Sequence, residues 1–179
     1  MKKYSNILCF DKTTSIKTIR GMLKIKDIKP GDYIVSYDDE LKDKCIDTVM
    51  CTAESIHDIC AIVVFDNGTR LKATVDHPLM VITKGWCAVS TDGIEKMYGV
   101  SVRQLEIGDE CLLVDGDKIS ATKVISIEVI PCSEIFYCLA TKETHSFIAN
   151  GIVVHDVDIK RFSKEYLDRE GVKLYCVQK

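Results

Sequence analysis

The 179-residue sequence lacks the features of a membrane protein, of a nucleic-acid-binding protein and of a metal-binding protein. Its apolar runs are only a few residues long, so no segment could span a membrane as a helix, and Met1-Lys2-Lys3 is not followed by the apolar core of a signal peptide. The net charge is -3 and there is no Lys/Arg-rich stretch to neutralise phosphates, which argues against nucleic-acid binding. The nine cysteines form no Cys-x-x-Cys pair and no ligand-spaced Cys/His cluster, so we expect no metal site.

The composition suits one globular domain. A chain of this length with 46% hydrophobic and 28% charged residues can bury a sizeable core. The cysteines are odd in number and scattered, so we expect most of them to be reduced core residues of a soluble, cytoplasmic protein.

Short apolar runs alternate with turn residues along most of the chain. Pro30-Gly31-Asp32 precedes a predicted strand at Tyr33 to Tyr37, and Asp66-Asn67-Gly68 follows a predicted buried strand at Ala61 to Phe65. Asp38 to Ala53 is polar and is predicted to be a loop. Many short strands with turns at close intervals indicate an all-β fold.

One segment near the N-terminus has a counterpart in the middle of the chain. Ile28-Lys29-Pro30-Gly31-Asp32 is echoed by Leu105-Glu106-Ile107-Gly108-Asp109. In both, a short apolar segment leads through a Gly-Asp turn into a strand. The repetition predicts an internal duplication of the fold.

Two polar clusters are candidate sites. Asn150-Gly151 lies between two apolar runs with the chemistry of a type I′ hairpin turn, which would hold His155 and Asp156 at a fixed place. Thr74 and His77 put a hydroxyl and an imidazole three residues apart at a predicted strand-to-loop corner. Taken singly, each cluster is better explained as ordinary polar residues at a strand end or in a loop.

Together the motifs resemble those of inteins and the wider Hint superfamily, which includes bacterial intein-like domains and hedgehog autoprocessing domains. The resemblance runs from Cys9 to Asp156 in the family's order. It rests on Cys9, Thr18, Gly21, Ile28, Pro30-Gly31-Asp32, Thr74-x-x-His77, His145-Ser146-Phe147-x-Ala149-Asn150-Gly151 and Val154-His155. It implies an all-β, horseshoe-like Hint fold with two duplicated halves. No homing-endonuclease motif occurs in Tyr98 to Lys118, so the domain would be a minimal one.

The resemblance implies a self-processing reaction at the N-terminal boundary. Cys9 would attack the carbonyl of Leu8 and exchange the Leu8–Cys9 peptide bond for a thioester on its sulfur. His77 would hydrogen-bond the scissile nitrogen and protonate the departing amine, while the Thr74 hydroxyl and nearby backbone N–H groups would stabilise the oxyanion. The substrate would be the protein's own backbone, and no cofactor would be needed.

The C-terminal boundary departs from the intein pattern at two positions. Inteins have His-Asn followed by Cys, Ser or Thr, whereas Asp156 replaces the Asn and Val157 replaces the second nucleophile. A carboxylate attacks less well than an amide nitrogen and would give an anhydride, so cleavage should be slow even with His145 and His155 placed to assist it. Full splicing is therefore not expected, and the thioester would end by hydrolysis or capture by a small nucleophile. Asp156 could also be a natural Asn altered by engineering or deamidation.

Cys138 stands where the family commonly has Asp. The resemblance implies that it could exchange a proton with Cys9 or accept the acyl group in its place. A buried core cysteine in a strand is the equal alternative.

The resemblance also divides the chain into three parts. Residues 1–8 would be an N-terminal flank, residues 9–156 the Hint domain, and residues 157–179 a C-terminal flank. In the last part a short helix is predicted to end at Gly171 and a strand to follow at Val172 to Val177. This segment is too short for a core of its own, so it either packs on the β-domain or begins a downstream flank.

Two other kinds of function stay open. A degenerate Hint fold would bind or tether a partner without chemistry, and a thiol hydrolase would use a Cys-His pair on separate substrates. A hydrolase needs a cleft and a third orienting group, for which no motif is visible. We expect instead single-turnover processing of the protein's own flanking segments, with water or a small nucleophile as acyl acceptor. We expect a monomer without nucleic-acid or membrane partners.

Overall fold

A computed structural model describes residues 7–178 of the chain. These residues form one sheet of fourteen strands, two short α-helices, and 3₁₀ turns at Ile25–Asp27 and Ile159–Arg161. The strands are β1 (Phe10–Asp11), β2 (Ser15–Thr18), β3 (Gly21–Lys24), β4 (Tyr33–Asp38), β5 (Asp43–Phe65), β6 (Arg70–Ala73), β7 (Leu79–Val81), β8 (Gly85–Ala88), β9 (Arg103–Gln104), β10 (Glu110–Asp115), β11 (Lys118–Thr141), β12 (Ser146–Ala149), β13 (Ile152–His155) and β14 (Lys173–Cys176). The helices are α1 (Ile94–Tyr98) and α2 (Lys164–Arg169), and no helix in this part of the chain is long and apolar enough to cross a membrane. The all-β prediction is confirmed.

The centre of the sheet is the antiparallel pair of its two longest strands, β5 and β11. Their pairing runs from Val124 opposite Phe65 to Thr141 opposite Val49. Each strand also continues into a hairpin, β5 with β4 and β11 with β10. The predicted loop at Asp38 to Ala53 is therefore wrong, because only residues 39–42 turn the chain and β5 begins at Asp43. Its polar residues lie in a strand because the ladder to β4 pairs with their backbone, which side-chain polarity does not reveal.

The predicted duplication appears in the two Gly-Asp turns, which have the same set of hydrogen bonds. In each turn the Asp carboxylate accepts a 2.9 Å hydrogen bond from the backbone N–H three residues earlier. In each turn, the Gly N–H also donates to the backbone carbonyl of a residue in a long strand. The N–H of that strand residue donates back to the Asp backbone carbonyl at 2.9 Å. The Gly bonds are Gly31 to Val49 at 2.7 Å and Gly108 to Val124 at 2.8 Å. The two halves are thus built around the same local geometry.

The predicted hairpin at Asn150-Gly151 is confirmed. Asn150 and Gly151 have φ of 49° and 85°, the positive values that a type I′ turn requires, and Ala149 pairs directly with Ile152. Asn150 Oδ1 accepts a 2.7 Å hydrogen bond from the Ser15 N–H, which fixes the turn on β2. The hairpin carries His155 to the end of β13, beside β7.

The segment after Asp156 packs on the β-domain. Its predicted short helix is α2, which Ser163 caps by accepting the Tyr166 N–H at 3.1 Å, and the turn before it is 3₁₀. Strand β14 then pairs with β5, where Cys51 and Cys176 form a disulfide. Seven other cysteines are free, in keeping with the expectation that most are reduced.

The buried residues form clusters on both sides of Cys9. Phe10 is fully buried in the main cluster with Phe65 and Phe147. Cys9 itself belongs to a second cluster, which also contains Leu8 and Val157. The two ends of the predicted Hint domain therefore meet in one apolar environment.

Candidate functional site

Residues 74–77, at the corner after β6, contact both the start and the end of the predicted domain. The Thr74 N–H donates to the Cys9 carbonyl at 2.9 Å, and the Cys9 N–H donates to Thr74 Oγ1 at 3.2 Å. His77 Nε2 donates to the His155 carbonyl at 2.8 Å. A segment of four residues thus contacts both Cys9 and His155, which lie far apart in the sequence.

The contacts of Thr74 and His77 differ from the sequence-based expectation. The acceptor of the scissile N–H is the Thr74 hydroxyl, whereas the resemblance gave this contact to His77. Burial lowers the pKa of His77 to about 3, although the carbonyls of His155 and Cys9 raise it. The imidazole is therefore neutral at pH 7, and because Nε2 donates to His155, the lone pair lies on Nδ1. Nδ1 is buried and has no hydrogen-bond partner within residues 7–178.

Cys9 is a fully buried thiol. Burial raises its pKa well above the ordinary value, and the Cys138 side chain raises it further, whereas His57 lowers it. The sulfur is consequently protonated at neutral pH. Because the thiolate is the attacking species, the site needs a base to ionise it.

The residue before Cys9 is also held in place. Leu8 is buried, and its N–H donates to the Tyr98 hydroxyl of α1 at 3.2 Å. Hydrogen bonds on both sides of the Leu8–Cys9 peptide bond, to Tyr98 and to Thr74, therefore fix its orientation.

Asp76 lies in the same corner and adds a carboxyl group to the site. Desolvation raises its pKa to about 6, although a hydrogen bond with the Thr74 side chain lowers it. The Thr74 hydroxyl, which accepts from the Cys9 N–H, thus has a carboxyl group as a second neighbour.

Ser55 and His57 are two site residues that the sequence analysis missed. Ser55 Oγ lies 3.7 Å from Cys9 Sγ and 2.9 Å from His57 Nε2, and both residues are buried. The signal that could have found them is their spacing, since two residues apart on a strand puts both side chains on one face. Strand β5 would first have to be recognised there.

The C-terminal boundary has its own set of contacts. His155 Nδ1 donates to the carbonyl oxygen of Asp156 at 2.7 Å. The buried Asp156 carboxylate accepts from the Thr141 N–H at 2.8 Å and hydroxyl at 3.1 Å, and lies 3.4 Å from His145 Nδ1. The Asp156 hydrogen bond raises the pKa of His145. Asp156 Oδ1 is buried 3.6 Å from His155 Nδ1 and forms no hydrogen bond among the described residues.

The structure thus places the predicted site residues in two groups. Cys9, Thr74, His77 and Cys138 lie at the N-terminal boundary, and His145, His155 and Asp156 lie at the C-terminal boundary. The bond from His77 to His155 connects them. Within residues 7–178, no three His, Cys, Asp or Glu side chains converge on a position for a metal ion.

Comparisons with known proteins point to one family. The family model of the intein splicing domain matches residues 10–156. A bacterial intein-like domain from Clostridium thermocellum has a similar structure, with a TM-score of 0.68 and 22% identity over 83% of this chain and 98% of that chain. A DnaB intein from Synechocystis sp. is similar with a TM-score of 0.65 and 20% identity over 83% of this chain and 98% of that chain. Identities this low show a shared fold, and no curated protein matches the chain in sequence.

Proposed function

Because the chain belongs to the intein splicing domain family, we propose that it processes its own backbone, beginning with an N-to-S acyl shift at the Leu8–Cys9 bond. The observation that carries this proposal is the pair of hydrogen bonds between Cys9 and Thr74, at 2.9 and 3.2 Å. They hold the scissile amide of a buried thiol residue beside a hydroxyl and an imidazole. Fixed geometry of this kind favours attack within one residue over reaction with water.

The chemistry of the first step follows from these contacts. The Cys9 sulfur attacks the Leu8 carbonyl carbon, and the negative charge that develops on the oxygen is stabilised by Thr74 and nearby backbone N–H groups. His77 protonates the departing amine. It is neutral in the precursor, and the oxyanion forming close to it favours the charged imidazolium. The product is a thioester on Cys9 with a free amine.

The second step is cleavage of the Asp156–Val157 bond. The C-terminal boundary has contacts that assist this cleavage, but it lacks an effective nucleophile. His155 donates to the Asp156 carbonyl, which polarises the Asp156–Val157 bond for cleavage. Thr141 and His145 hold the Asp156 carboxylate, but a carboxylate attacks poorly and its cyclic product is an anhydride. Val157 has no hydroxyl or thiol to accept an acyl group. C-terminal cleavage is therefore slow, and splicing of the flanks does not go to completion.

N-terminal cleavage is the favoured outcome. The flank at residues 1–8, of which residues 1–6 lie outside the described part of the chain, leaves as an acid or as an adduct of a small nucleophile. Cys138 provides a second thiol beside Cys9, able to exchange a proton with it or to accept the acyl group. The flank at residues 157–179 stays attached.

Intact mass over time tests this proposal. The chain is incubated with and without dithiothreitol beside Cys9→Ala, and beside Cys111→Ala as a matched variant at another buried free cysteine. We expect thiol-dependent loss of residues 1–8 in the parent chain and in Cys111→Ala but not in Cys9→Ala. Full mass in every sample would reject the proposal and favour a degenerate Hint fold that binds or tethers a partner.

A further inference from the structure

We propose that Ser55 and His57 form a proton relay that removes the thiol proton of Cys9 during the acyl shift. This role rests on the proposed function and adds two residues to it. Neither residue belongs to the motifs that identify the family resemblance.

The relay is a continuous chain of polar contacts. Cys9 Sγ lies 3.7 Å from Ser55 Oγ, and Ser55 Oγ lies 2.9 Å from His57 Nε2. The S–H of Cys9 donates to the hydroxyl oxygen, and the hydroxyl donates to the imidazole in the tautomer that carries its proton on Nδ1. A hydroxyl can accept one hydrogen bond while it donates another, as a relay requires.

Strand β5 holds the relay in position. Ser55 and His57 project from one face of β5, and Ser55 pairs with Phe136 and His57 with Glu134 of β11. The ring of Phe136 packs edge-on against His57, with ring centroids 5.4 Å apart, and Cys132 Sγ donates to the His57 carbonyl at 3.2 Å. Two long paired strands thus orient the imidazole toward the thiol, with no dependence on a loop.

The acyl shift needs a base at this place. Burial raises the pKa of Cys9, so ionisation does not occur unaided at neutral pH, and the interaction with His57 acts in the opposite direction. The Nε2 of His77 donates to the His155 carbonyl and is therefore engaged at the other boundary. Cys138 raises the pKa of Cys9 and so opposes its ionisation. Ser55 is the hydroxyl in contact with the sulfur, and His57 acts through it as a positioning residue.

Protons and electron pairs are conserved in this step. The S–H proton passes to Ser55 Oγ as the Ser55 proton passes to His57 Nε2, and the sulfur electron pair forms a bond to the Leu8 carbonyl carbon. The C=O electron pair moves to oxygen and returns as the C–N bond breaks, with that bond's electron pair left on the Cys9 nitrogen. As the oxyanion forms, His77 takes up a proton from water on Nδ1 and passes that proton to the Cys9 nitrogen. His57 then releases its extra proton to water, so the shift is neutral in protons.

The experiment measures the dithiothreitol-dependent release of residues 1–8 in an Asp156→Asn background, where loss of residues 157–179 reports separately on the C-terminal site. The variants are Ser55→Ala, Ser55→Thr, His57→Gln, His57→Ala and the double variant Ser55→Ala/His57→Gln. Thr122→Val is the control, since it removes a buried hydroxyl elsewhere in the sheet, on β11, where it donates to Asp66 at 2.8 Å.

The relay predicts 10- to 100-fold slower N-terminal release in Ser55→Ala and His57→Gln, at unchanged C-terminal release. The double variant should be no slower than the slower single one, because either change breaks the same chain. Ser55→Thr, which keeps the hydroxyl, should retain most of the rate, and added imidazole should speed up His57→Ala. Thr122→Val should release at the parent rate.

Equal N-terminal rates in Ser55→Ala, His57→Gln and the parent chain would overturn the relay and leave the acyl shift intact. Additive losses in the double variant, or no recovery in Ser55→Thr and with imidazole, would also overturn it. A parent chain that releases nothing would overturn the proposed function itself. Where a variant loses both releases through misfolding, His57→Gln, which keeps a polar side chain, and Ser55→Thr, which keeps the hydroxyl, decide the question.

Discussion

The side chain of His77 and the backbone carbonyl of His155 are joined by a 2.8 Å hydrogen bond. The same imidazole lies near the Cys9 carbonyl, which raises the pKa of His77 against the larger effect of burial. One side chain is therefore bonded to the backbone at one end of the domain and affected by the backbone at the other. Its protonation state should affect both the stability of this junction and the chemistry there.

The first prediction is a pH dependence of stability due to His77. Its pKa falls from 6.5 in the unfolded chain to about 3 in the fold, so the folded state binds the proton less readily. The stabilisation is fully present above pH 6.5 and is lost as pH falls toward 3, by about 1.4 kcal/mol per pH unit. Asp76 acts in the opposite direction, since its pKa rises from 3.8 to about 6.

Urea unfolding at pH 4.5 and 7, of the chain and of His77→Gln, separates the two residues. The parent chain should lose about 2.5 kcal/mol more than His77→Gln on going from pH 7 to 4.5. An equal loss in both proteins would show that His77 titrates normally in the fold.

The second prediction concerns Asp156→Asn. An amide nitrogen attacks the neighbouring carbonyl to form a five-membered succinimide, and His155 already polarises that carbonyl at 2.7 Å. Release of residues 157–179 should accelerate at least tenfold, which corresponds to about 1.4 kcal/mol of barrier. Mass spectrometry under reducing conditions measures the release. Asp156→Ala, which has no nucleophile, is the control, and equal rates in Asn and Ala variants would contradict the mechanism.

The third prediction concerns the disulfide between Cys51 and Cys176. Because Cys176 lies after the C-terminal boundary, the disulfide should retain residues 157–179 on the domain even when the backbone is cut. In the Asp156→Asn chain, non-reducing electrophoresis should show one band and reducing electrophoresis two. Adding Cys176→Ser should give two bands in both. One band that persists after reduction would show that the backbone is intact.

The fourth prediction compares two glycines. Gly151 has φ of 85°, and an added Cβ would lie 3.0 Å from Leu113 Cδ1, whereas Gly116 has φ of 57° and nothing within 4 Å of an added Cβ. A left-handed conformation costs a side-chain-bearing residue about 1–2 kcal/mol. Gly151→Ala should therefore lower the free energy of unfolding by about 2 kcal/mol and Gly116→Ala by about 1 kcal/mol. Equal losses would show that contact with Leu113 adds nothing.

Local signals in the sequence predict the parts of the fold that local chemistry determines. Asn150-Gly151 indicates its turn because these two residues tolerate the positive φ that the turn requires. The two Gly-Asp turns reveal the duplication because each Asp accepts a hydrogen bond from within its own turn. His155 and Asp156 follow from the hairpin, which delivers them to the end of β13.

The parts that were missed depend on contacts between distant residues. The polar start of β5 was predicted to be a loop, since only the ladder to β4 shows that its backbone is paired. Ser55 approaches Cys9 across 46 residues of sequence, and Cys51 approaches Cys176 across 125. The Cys9 N–H meets Thr74 and not His77 because pairing of Phe10 with Ala73 sets the register of β1 against β6. None of these distances is encoded in a local pattern.

The most direct test of the central claim is to trap the thioester at Cys9. The purified chain is incubated with a small anionic thiol, and the released peptide is analysed by tandem mass spectrometry. The account predicts a peptide that ends at Leu8 with the thiol attached to its C-terminal carbonyl, absent from Cys9→Ala. A chain that stays intact, or a peptide cut at any other residue, would contradict the proposed acyl shift.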